Sequence, residues 1–260
     1  MGLSKETQQM LFQIGYTAKG IVYALIGFFA LGSLIGISRG ATGPKEIIEW
    51  LGNSSLGHFA LVAIGLGLLC YCGYRLYMAI MDTKNEGEDA TALVKRIGWA
   101  VSGTSYGILS VFAFKEAFAG GGSKGGKQTM IATILEQNWG HLAVGLIGLI
   151  VLGVAAYQVY RAVKDKHMKD VKSQGLSQTQ ENTFRIMGRV GLVARAVVFT
   201  IIAYFLYRAA QSEDASEFRG IEESLEYLNQ GWGNVALAII GLGLLAYGLF
   251  MFVRARFERV

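Results

Sequence analysis

The segment GHFALVAIGLGLLCYCGYRLYMA at residues 57–79 recurs twice further along the chain. It returns as GHLAVGLIGLIVLGVAAYQVYRA at 140–162 and as GNVALAIIGLGLLAYGLFMFVRA at 233–255. Each copy is apolar for about 17 residues or more and carries a basic residue near its end, which is the pattern of a membrane-spanning helix. The three copies therefore predict three related membrane helices.

A second motif precedes each copy and repeats at the same intervals. It reads GYTAKG at 15–20, GWAVSG at 98–103 and GLVARA at 191–196. Both motifs move by 83 positions from the first copy to the second and by a further 93 to the third. The repeating unit is therefore a pair of helices. We predict a single membrane domain over 1–260, with repeats at 9–81, 92–163 and 184–257.

Each unit contributes two spans, so all three units enter the membrane in the same orientation. We expect an all-α membrane protein with six transmembrane helices, built as three parallel two-helix repeats with pseudo-threefold symmetry about the membrane normal. We also expect the first helix of each repeat to lie toward the axis, because it carries small residues four positions apart that allow close helix packing. These pairs are Gly20/Ala24, Gly103/Gly107 and Ala196/Thr200.

The composition agrees with a membrane protein, since 52% of the residues are hydrophobic and only 17% are charged. The net charge of +5 does not indicate a nucleic-acid partner, because the basic residues gather at helix ends and form no aromatic–basic platform. Fifteen Lys and Arg residues lie on the side of both termini, seven lie on the opposite side, and two lie within helices. The positive-inside rule therefore predicts cytoplasmic termini.

Three amphipathic segments lie on the opposite side, at 45–51, at 128–136 and within 212–230. One interpretation places their apolar stripes at the outer membrane–water interface, near Trp50, Trp139 and Trp232. The other has the stripes pack over the mouth of the helix bundle.

Lys19, Ser102 and Arg195 occupy the same position in the three repeats. Only 12 residues separate Arg195 from Arg208, too few to cross a bilayer, so Arg195 lies inside a membrane helix. A charge there costs roughly 2.5–3.5 kcal/mol or more. The three residues therefore form a cationic and polar ring that faces the axis and attracts an anion or a lipid headgroup, or the charged pair snorkels to the membrane surface.

Two further sets share repeat positions. Tyr23, Tyr106 and Phe199 either line the axis or serve as interfacial anchors and interhelix hydrogen-bond partners. His58, His141 and Asn234 stand at the outer starts of the second helices. They form an outer polar ring, sensitive to pH or weakly metal-binding, or they are simply polar residues at helix starts.

The sequence lacks the residue patterns that several kinds of transport and catalysis require. No Asp or Glu lies inside the predicted spans, which argues against proton- or sodium-coupled transport and against acidic-ring cation channels. No zinc-ligand spacing, nucleotide-binding loop, nucleophile elbow or carboxylate pair is present. We therefore expect no enzyme activity, no cofactor and no metal site.

The repeated motifs resemble a bacterial membrane family, Domain of Unknown Function 1206. The resemblance rests on RVGLVAR at 189–195, GLGLLAYG at 241–248 and VRARF at 253–257, and it covers essentially the whole chain. It implies a six-span protein of the plasma (inner) membrane and no established activity. In that family the position of Lys19 and Arg195 is usually Arg, and the second helix commonly starts Gly-Arg. Lys19, His58, His141 and Asn234 depart from that pattern.

The sequence leaves three functions open. The first is a channel or facilitator for a small anion or neutral solute along the axis. The second is a structural protein that binds lipid or a partner, with the basic segment 161–172 contacting anionic headgroups. An intramembrane enzyme is the least favoured. A channel requires small or polar residues along the axis, whereas a scaffold predicts a sealed apolar axis.

Overall fold

The computed structural model describes residues 3–34, 43–53, 56–81, 90–119, 127–169, 171 and 176–259. In these ranges the chain is helical apart from short connections, and an isolated bridge joins Val171 to Glu258. A 3₁₀ turn at Ala215–Glu217 precedes the last helix. The helices are α1 (Lys5–Leu34), α2 (Pro44–Gly52), α3 (Gly57–Met81), α4 (Ala90–Ala119), α5 (Lys127–Leu135), α6 (Gly140–Val163), α7 (Gln178–Ser212) and α8 (Ile221–Phe257).

Six of the described helices are long and apolar enough to cross a membrane, namely α1, α3, α4, α6, α7 and α8. This confirms the prediction of an all-α protein with six membrane-length helices. The helix α7 begins six residues before the predicted repeat boundary at 184. The extension has a local cause, because Ser177 and Gln180 form a reciprocal capping box that satisfies two free backbone N–H groups.

The third amphipathic segment is continuous with the last membrane helix. Within α8 only Gly233 leaves the helical conformation, with φ 75° and ψ −178°. Such a positive φ favours glycine, which has no Cβ to clash with its own backbone. Gly233 is the repeat equivalent of Gly57 and Gly140, where α3 and α6 begin. The kink therefore separates 221–232 from the span that follows it.

The short helices pack over the bundle rather than lying apart from it. Ile47 and Ile48 on α2 are fully buried, as is Leu225 at the start of α8. The nearby tryptophans point outward, with exposed fractions of 52%, 60% and 79% for Trp50, Trp139 and Trp232. The apolar stripes thus cover the mouth of the bundle, while the tryptophans are free to contact a membrane interface.

Neighbouring repeats are joined by one kind of helix pair. The second helix of each repeat packs extensively against the first helix of the next one, as α3 on α4, α6 on α7 and α8 on α1. Small residues make these approaches close: a Cβ on Gly20 would lie 2.9 Å from the carbonyl oxygen of Gly248, and one on Gly107 would lie 2.9 Å from the Sγ of Cys72. This cyclic pairing is what a threefold arrangement requires, and the axis itself stays a prediction.

Pairing within the repeats is unequal. The helices α1 and α3 pack together, as do α7 and α8, but α4 and α6 barely touch. A Cβ on Gly15 would lie 2.6 Å from the Cα of Tyr71, and one on Gly191 would lie 2.6 Å from the Cα of Tyr247. The equivalent Gly98 on α4 faces open space. We call this opening the α4/α6 gap.

Burial follows the gap rather than the order of helices within a repeat. Among the first helices, 61% of the most apolar window of α1 and 50% of that of α7 is buried, against 17% for α4. The expectation that every first helix lies toward the axis stays a prediction, and α4 has the lowest burial of the three. The physical reason for this low burial is the missing contact with α6, which leaves one flank of α4 uncovered.

Candidate functional site

A cavity of ≈ 920 Å³ lies between the six long helices, near the ends that carry the chain termini. The amide Nε2 of Gln9 on α1 donates a hydrogen bond of 3.0 Å to the carbonyl oxygen of Glu258, which places both terminal segments at this end. The volume falls in the range of about 300–1,000 Å³ that is usual for small-molecule sites. By the count of Lys and Arg residues, this end is also the more basic one.

The lining of the cavity is strongly cationic. Among its described residues, Glu258 is the one carboxylate, and Arg254 holds it through bonds of 2.6 and 2.9 Å. The basic lining residues are Lys19, Arg75, Lys95, Arg161, Lys166, Lys169, Arg195 and Arg254. An electrostatic potential of one sign in a cleft with apolar walls concentrates ions of the opposite sign.

The hydroxyl of Tyr71 on α3 joins three helices. It accepts hydrogen bonds from Lys19 Nζ of α1 and from Arg75 Nε, both at 3.0 Å, and lies 3.2 Å from Ser102 Oγ of α4. Because its oxygen already accepts two N–H groups, the Tyr71 hydroxyl donates its own proton to Ser102. Tyr71 thus connects Lys19 to Ser102, two members of the predicted ring.

Lys19 lies inside the bundle and is only 3% exposed. Its Nζ is 4.7 Å from the ring centroid of Tyr71, 4.9 Å from that of Tyr106 and 5.7 Å from that of Tyr247. The negative faces of aromatic rings attract a cation, most strongly where water is excluded. In the described part of the chain, no carboxylate forms an ion pair with Lys19.

Arg195 on α7 is also held by a tyrosine hydroxyl and by aromatic rings. Its Nη1 donates a 2.6 Å hydrogen bond to Tyr247 Oη, and its guanidinium lies 5.0 Å and 4.7 Å from the rings of Tyr23 and Phe199. Tyr247 contacts both charges, since Lys19 also stands over its ring. The structure therefore brings the predicted ring residues into one cluster and adds two tyrosines, Tyr71 and Tyr247, between them.

The predicted axis-lining residues form the next layer of this cluster. Tyr106 donates a hydrogen bond of 3.1 Å from its hydroxyl to that of Tyr23, and the ring of Phe199 contacts Arg195. Further along α1 from this layer, Ile26 and Ala30 are fully buried in the apolar core. The interior on the side of this layer away from the chain termini is thus apolar in the described structure.

The predicted outer ring is not assembled in the described structure. His58 and Asn234 are exposed, and His141 Nδ1 lies 3.8 Å from the carboxylate of Glu213. No hydrogen bond or ion pair joins these three residues in the ranges that the structure describes. The interpretation as polar residues at helix starts needs no contact between them, and the outer ring stays a prediction.

Several site residues were not identified from the sequence. On α3, Tyr71 and Arg75 stand one turn apart, and on α8, Tyr247 and Arg254 stand two turns apart on the same helix face. Aligning the repeats gives a usable signal, because Tyr71 corresponds to Tyr247, and Arg161 of α6 corresponds to Arg254. A tyrosine repeated above a basic residue on one helix face points to a shared polar interior.

Gln158 on α6 is the clearest unsatisfied group of the site. Its side chain is 5% exposed and lines the cavity, yet neither its amide nitrogen nor its amide oxygen has a protein partner. A buried amide without a partner costs about 1–3 kcal/mol. Gln158 therefore has a donor and an acceptor available for a molecule in the cavity.

The Tyr71 hydroxyl has a testable structural role. We expect Tyr71→Phe to destabilise the protein by about 1–3 kcal/mol, because Lys19 and Arg75 both lose a buried acceptor. The measurement is the midpoint of thermal unfolding in a neutral detergent. Tyr77→Phe is the control, since the hydroxyl of Tyr77 accepts one bond from the exposed backbone of Leu3. Equal midpoints for the two variants would contradict the role of Tyr71.

The family described as Domain of Unknown Function (DUF1206) matches the chain three times, at residues 14–82, 97–165 and 190–258. The chain therefore belongs to this family, and each match covers one helix pair. "Uncharacterized protein YxxB" of Bacillus subtilis (strain 168) is 29% identical over 249 residues, which cover 95% of this chain and 90% of that protein. No solved structure matches the chain significantly.

Proposed function

We propose that this DUF1206 protein binds a phosphate-bearing anion in the cationic cavity between its six long helices, with both termini on the cytoplasmic side of the plasma membrane and without catalysis. The observation that supports the proposal most directly is the surplus of positive charge in the cavity. Lys19, Arg75, Arg161 and Arg195 line it without forming an ion pair with a described carboxylate. A buried charge that lacks a counter-ion is costly, so an anionic ligand would stabilise this arrangement.

The ligand chemistry follows from the donors. Arginine presents a planar set of N–H groups that suits carboxylates and phosphates, and lysine adds a compact charge. Several cations around one cavity exceed what a single carboxylate balances, which favours a phosphate group. The free amide of Gln158 adds a neutral donor and acceptor to the same wall. Neutral solutes would leave the surplus charge uncompensated.

Binding is better supported than conduction. A channel needs a polar path along the axis, but beyond the Tyr23–Tyr106 pair the interior is apolar, with Ile26 and Ala30 fully buried. A purely structural protein, in turn, has no use for an unpartnered amide and a cationic wall around a cavity of ≈ 920 Å³. A binding site that does not continue along the axis reconciles these two observations.

The test is phosphate binding in a neutral detergent, measured for inorganic phosphate and glycerol 1-phosphate by calorimetry. We expect Lys19→Met and Arg195→Met each to weaken binding by roughly tenfold or more, because each removes one charge-assisted hydrogen bond. Methionine keeps most of the side-chain volume, and Arg208→Met is the matched control, because Arg208 pairs with Glu217 away from the cavity. Unchanged affinity in both cavity variants would refute the proposal.

Flux through liposomes tests the conduction alternative on the same protein. We expect phosphate and chloride permeability to equal that of empty liposomes, because apolar side chains close the axis. A flux that depends on Lys19 and Arg195 would instead show that the bundle opens and that the anion passes through it.

A further inference from the structure

We propose that the phosphate in the cavity is the headgroup of an anionic phospholipid, which enters from the bilayer through the α4/α6 gap and leaves its acyl chains there. This inference rests on the proposed function and names the source of its anion. A membrane lipid is the occupant that fits, because α4 and α6 leave one flank of the cavity open within the described ranges, and both helices are long and apolar enough to cross a membrane.

The gap is specific to the second repeat. Gly98 on α4 and Gly153 on α6 have open space where a Cβ would project, and both line the cavity. In the other two repeats the positions equivalent to Gly98 are filled by the backbone of Tyr71 or Tyr247. The position equivalent to those tyrosines on α6 is the smaller Val154, which also lines the cavity. The two helices of a repeat therefore pack closely in the first and third repeats and leave an opening in the second.

The walls of the gap change from apolar to cationic with depth. Ile97, Val101 and Ile150, on the two helices that flank the gap, line the cavity and are 47%, 44% and 38% exposed. Lys19 and Arg195 line it at the centre of the bundle. This order matches a molecule with an apolar tail and an anionic head. A soluble anion would gain nothing from the apolar outer part.

Gln158 and the cavity size fit the same ligand. The buried amide of Gln158 stands on the α6 wall without a protein partner, within reach of a polar group in the cavity. The cavity of ≈ 920 Å³ is suited to a drug-sized ligand and exceeds what a single inorganic ion fills. A glycerol-linked phosphate would use the remaining space and the free hydrogen-bonding capacity of Gln158.

Fluorescence quenching by brominated lipids tests the inference directly. Trp99 is the one of the four tryptophans that lines the cavity, so Trp50, Trp139 and Trp232 are replaced by Phe and Trp99 is kept. The protein is reconstituted in phosphatidylcholine with a small fraction of brominated phosphatidic acid or of brominated phosphatidylcholine. We expect phosphatidic acid to reach half-maximal quenching at a roughly tenfold lower fraction, as one charge-assisted hydrogen bond provides. Lys19→Met should remove this preference.

A double variant and its control test whether the lipid enters through the α4/α6 gap. Gly98→Leu and Gly153→Leu together fill the open space of the gap without meeting a neighbouring atom within 4 Å at Cβ. We expect this double variant to abolish the preference for phosphatidic acid. Gly73→Leu is the matched control, because Gly73 also has open space around it but does not line the cavity.

The outcomes separate the two proposals. Equal quenching by the two lipids, with phosphate binding intact, overturns the lipid inference and leaves the anion site standing. If the parent protein shows neither phosphate binding nor a preference for phosphatidic acid, both proposals are overturned. Preference for phosphatidic acid that survives in the gap-filled variant overturns the lateral route, and the comparison of lipids in the parent protein does not depend on that variant folding.

Discussion

Replacing Gly15 or Gly191 by Ala is expected to unfold the protein at a markedly lower temperature, whereas Gly98→Ala is expected to leave stability unchanged or raise it slightly. The three glycines are repeat equivalents. A Cβ at the first two would lie 2.6 Å from the Cα of Tyr71 or Tyr247, and backbone atoms of a packed helix cannot move aside cheaply. Overpacking of this kind costs about 1–3 kcal/mol or more per site.

Gly98→Ala is the internal control, because its Cβ meets open space and alanine is favoured over glycine in a helix by about 0.5–1 kcal/mol. The measurement is the unfolding midpoint in detergent, where about 1 kcal/mol corresponds to roughly 2–4 °C for a chain of this size. Equal losses at all three positions would show that α4 and α6 pack as closely as the other pairs, which would remove the gap.

The helical architecture was predictable because its signals are local. A span of about 20 apolar residues needs no knowledge of its neighbours, and the constant interval between motifs identifies the repeat. The kink at Gly233 was also legible, since it aligns with the glycines at which α3 and α6 begin. What could not be read was the extension of α7 to Gln178, which depends on one capping residue, Ser177.

The charged and polar residues of the candidate site were predictable from the sequence, but the tyrosines that contact them were not. Repeat alignment grouped Lys19, Ser102 and Arg195, and the structure places them in one cluster. The alignment could not show that Tyr71 and Tyr247 hold these residues, because a hydrogen bond between helices depends on how the helices turn toward each other. The same limit applies to His58 and His141, where equal repeat positions did not produce a hydrogen bond or ion pair between them in the described ranges.

The α4/α6 gap was hidden by the repeat itself. A repeated sequence favours the expectation of equal packing, so the small differences at equivalent positions carry the information. Val154 stands where the other repeats have tyrosine, and Gln158 stands where the first repeat has Arg75. Both residues line the cavity at the gap, where Gln158 provides a polar side chain. Differences between equivalent positions thus locate the gap, which the shared residues do not.

Glu258→Gln is expected to cost about 3–5 kcal/mol, because it leaves Arg254 buried without its counter-ion. The two side chains are 8% and 1% exposed and form a two-point contact, with Nε to Oε2 at 2.6 Å and Nη2 to Oε1 at 2.9 Å. The guanidinium of Arg254 also stands 4.6 Å from the ring centroid of Tyr16, so it cannot turn to solvent without leaving the core. The unfolding midpoint in detergent measures the loss.

Glu181→Gln serves as the matched control for this prediction, since Glu181 and Arg185 are also four residues apart but are 26% and 36% exposed. An exposed pair of this kind contributes less than about 1 kcal/mol. The double variant Arg254→Met with Glu258→Gln removes the unpaired charge, so it should be more stable than Glu258→Gln alone. If the double variant is instead the less stable of the two, Arg254 stabilises the bundle through the ring of Tyr16 rather than through its carboxylate partner.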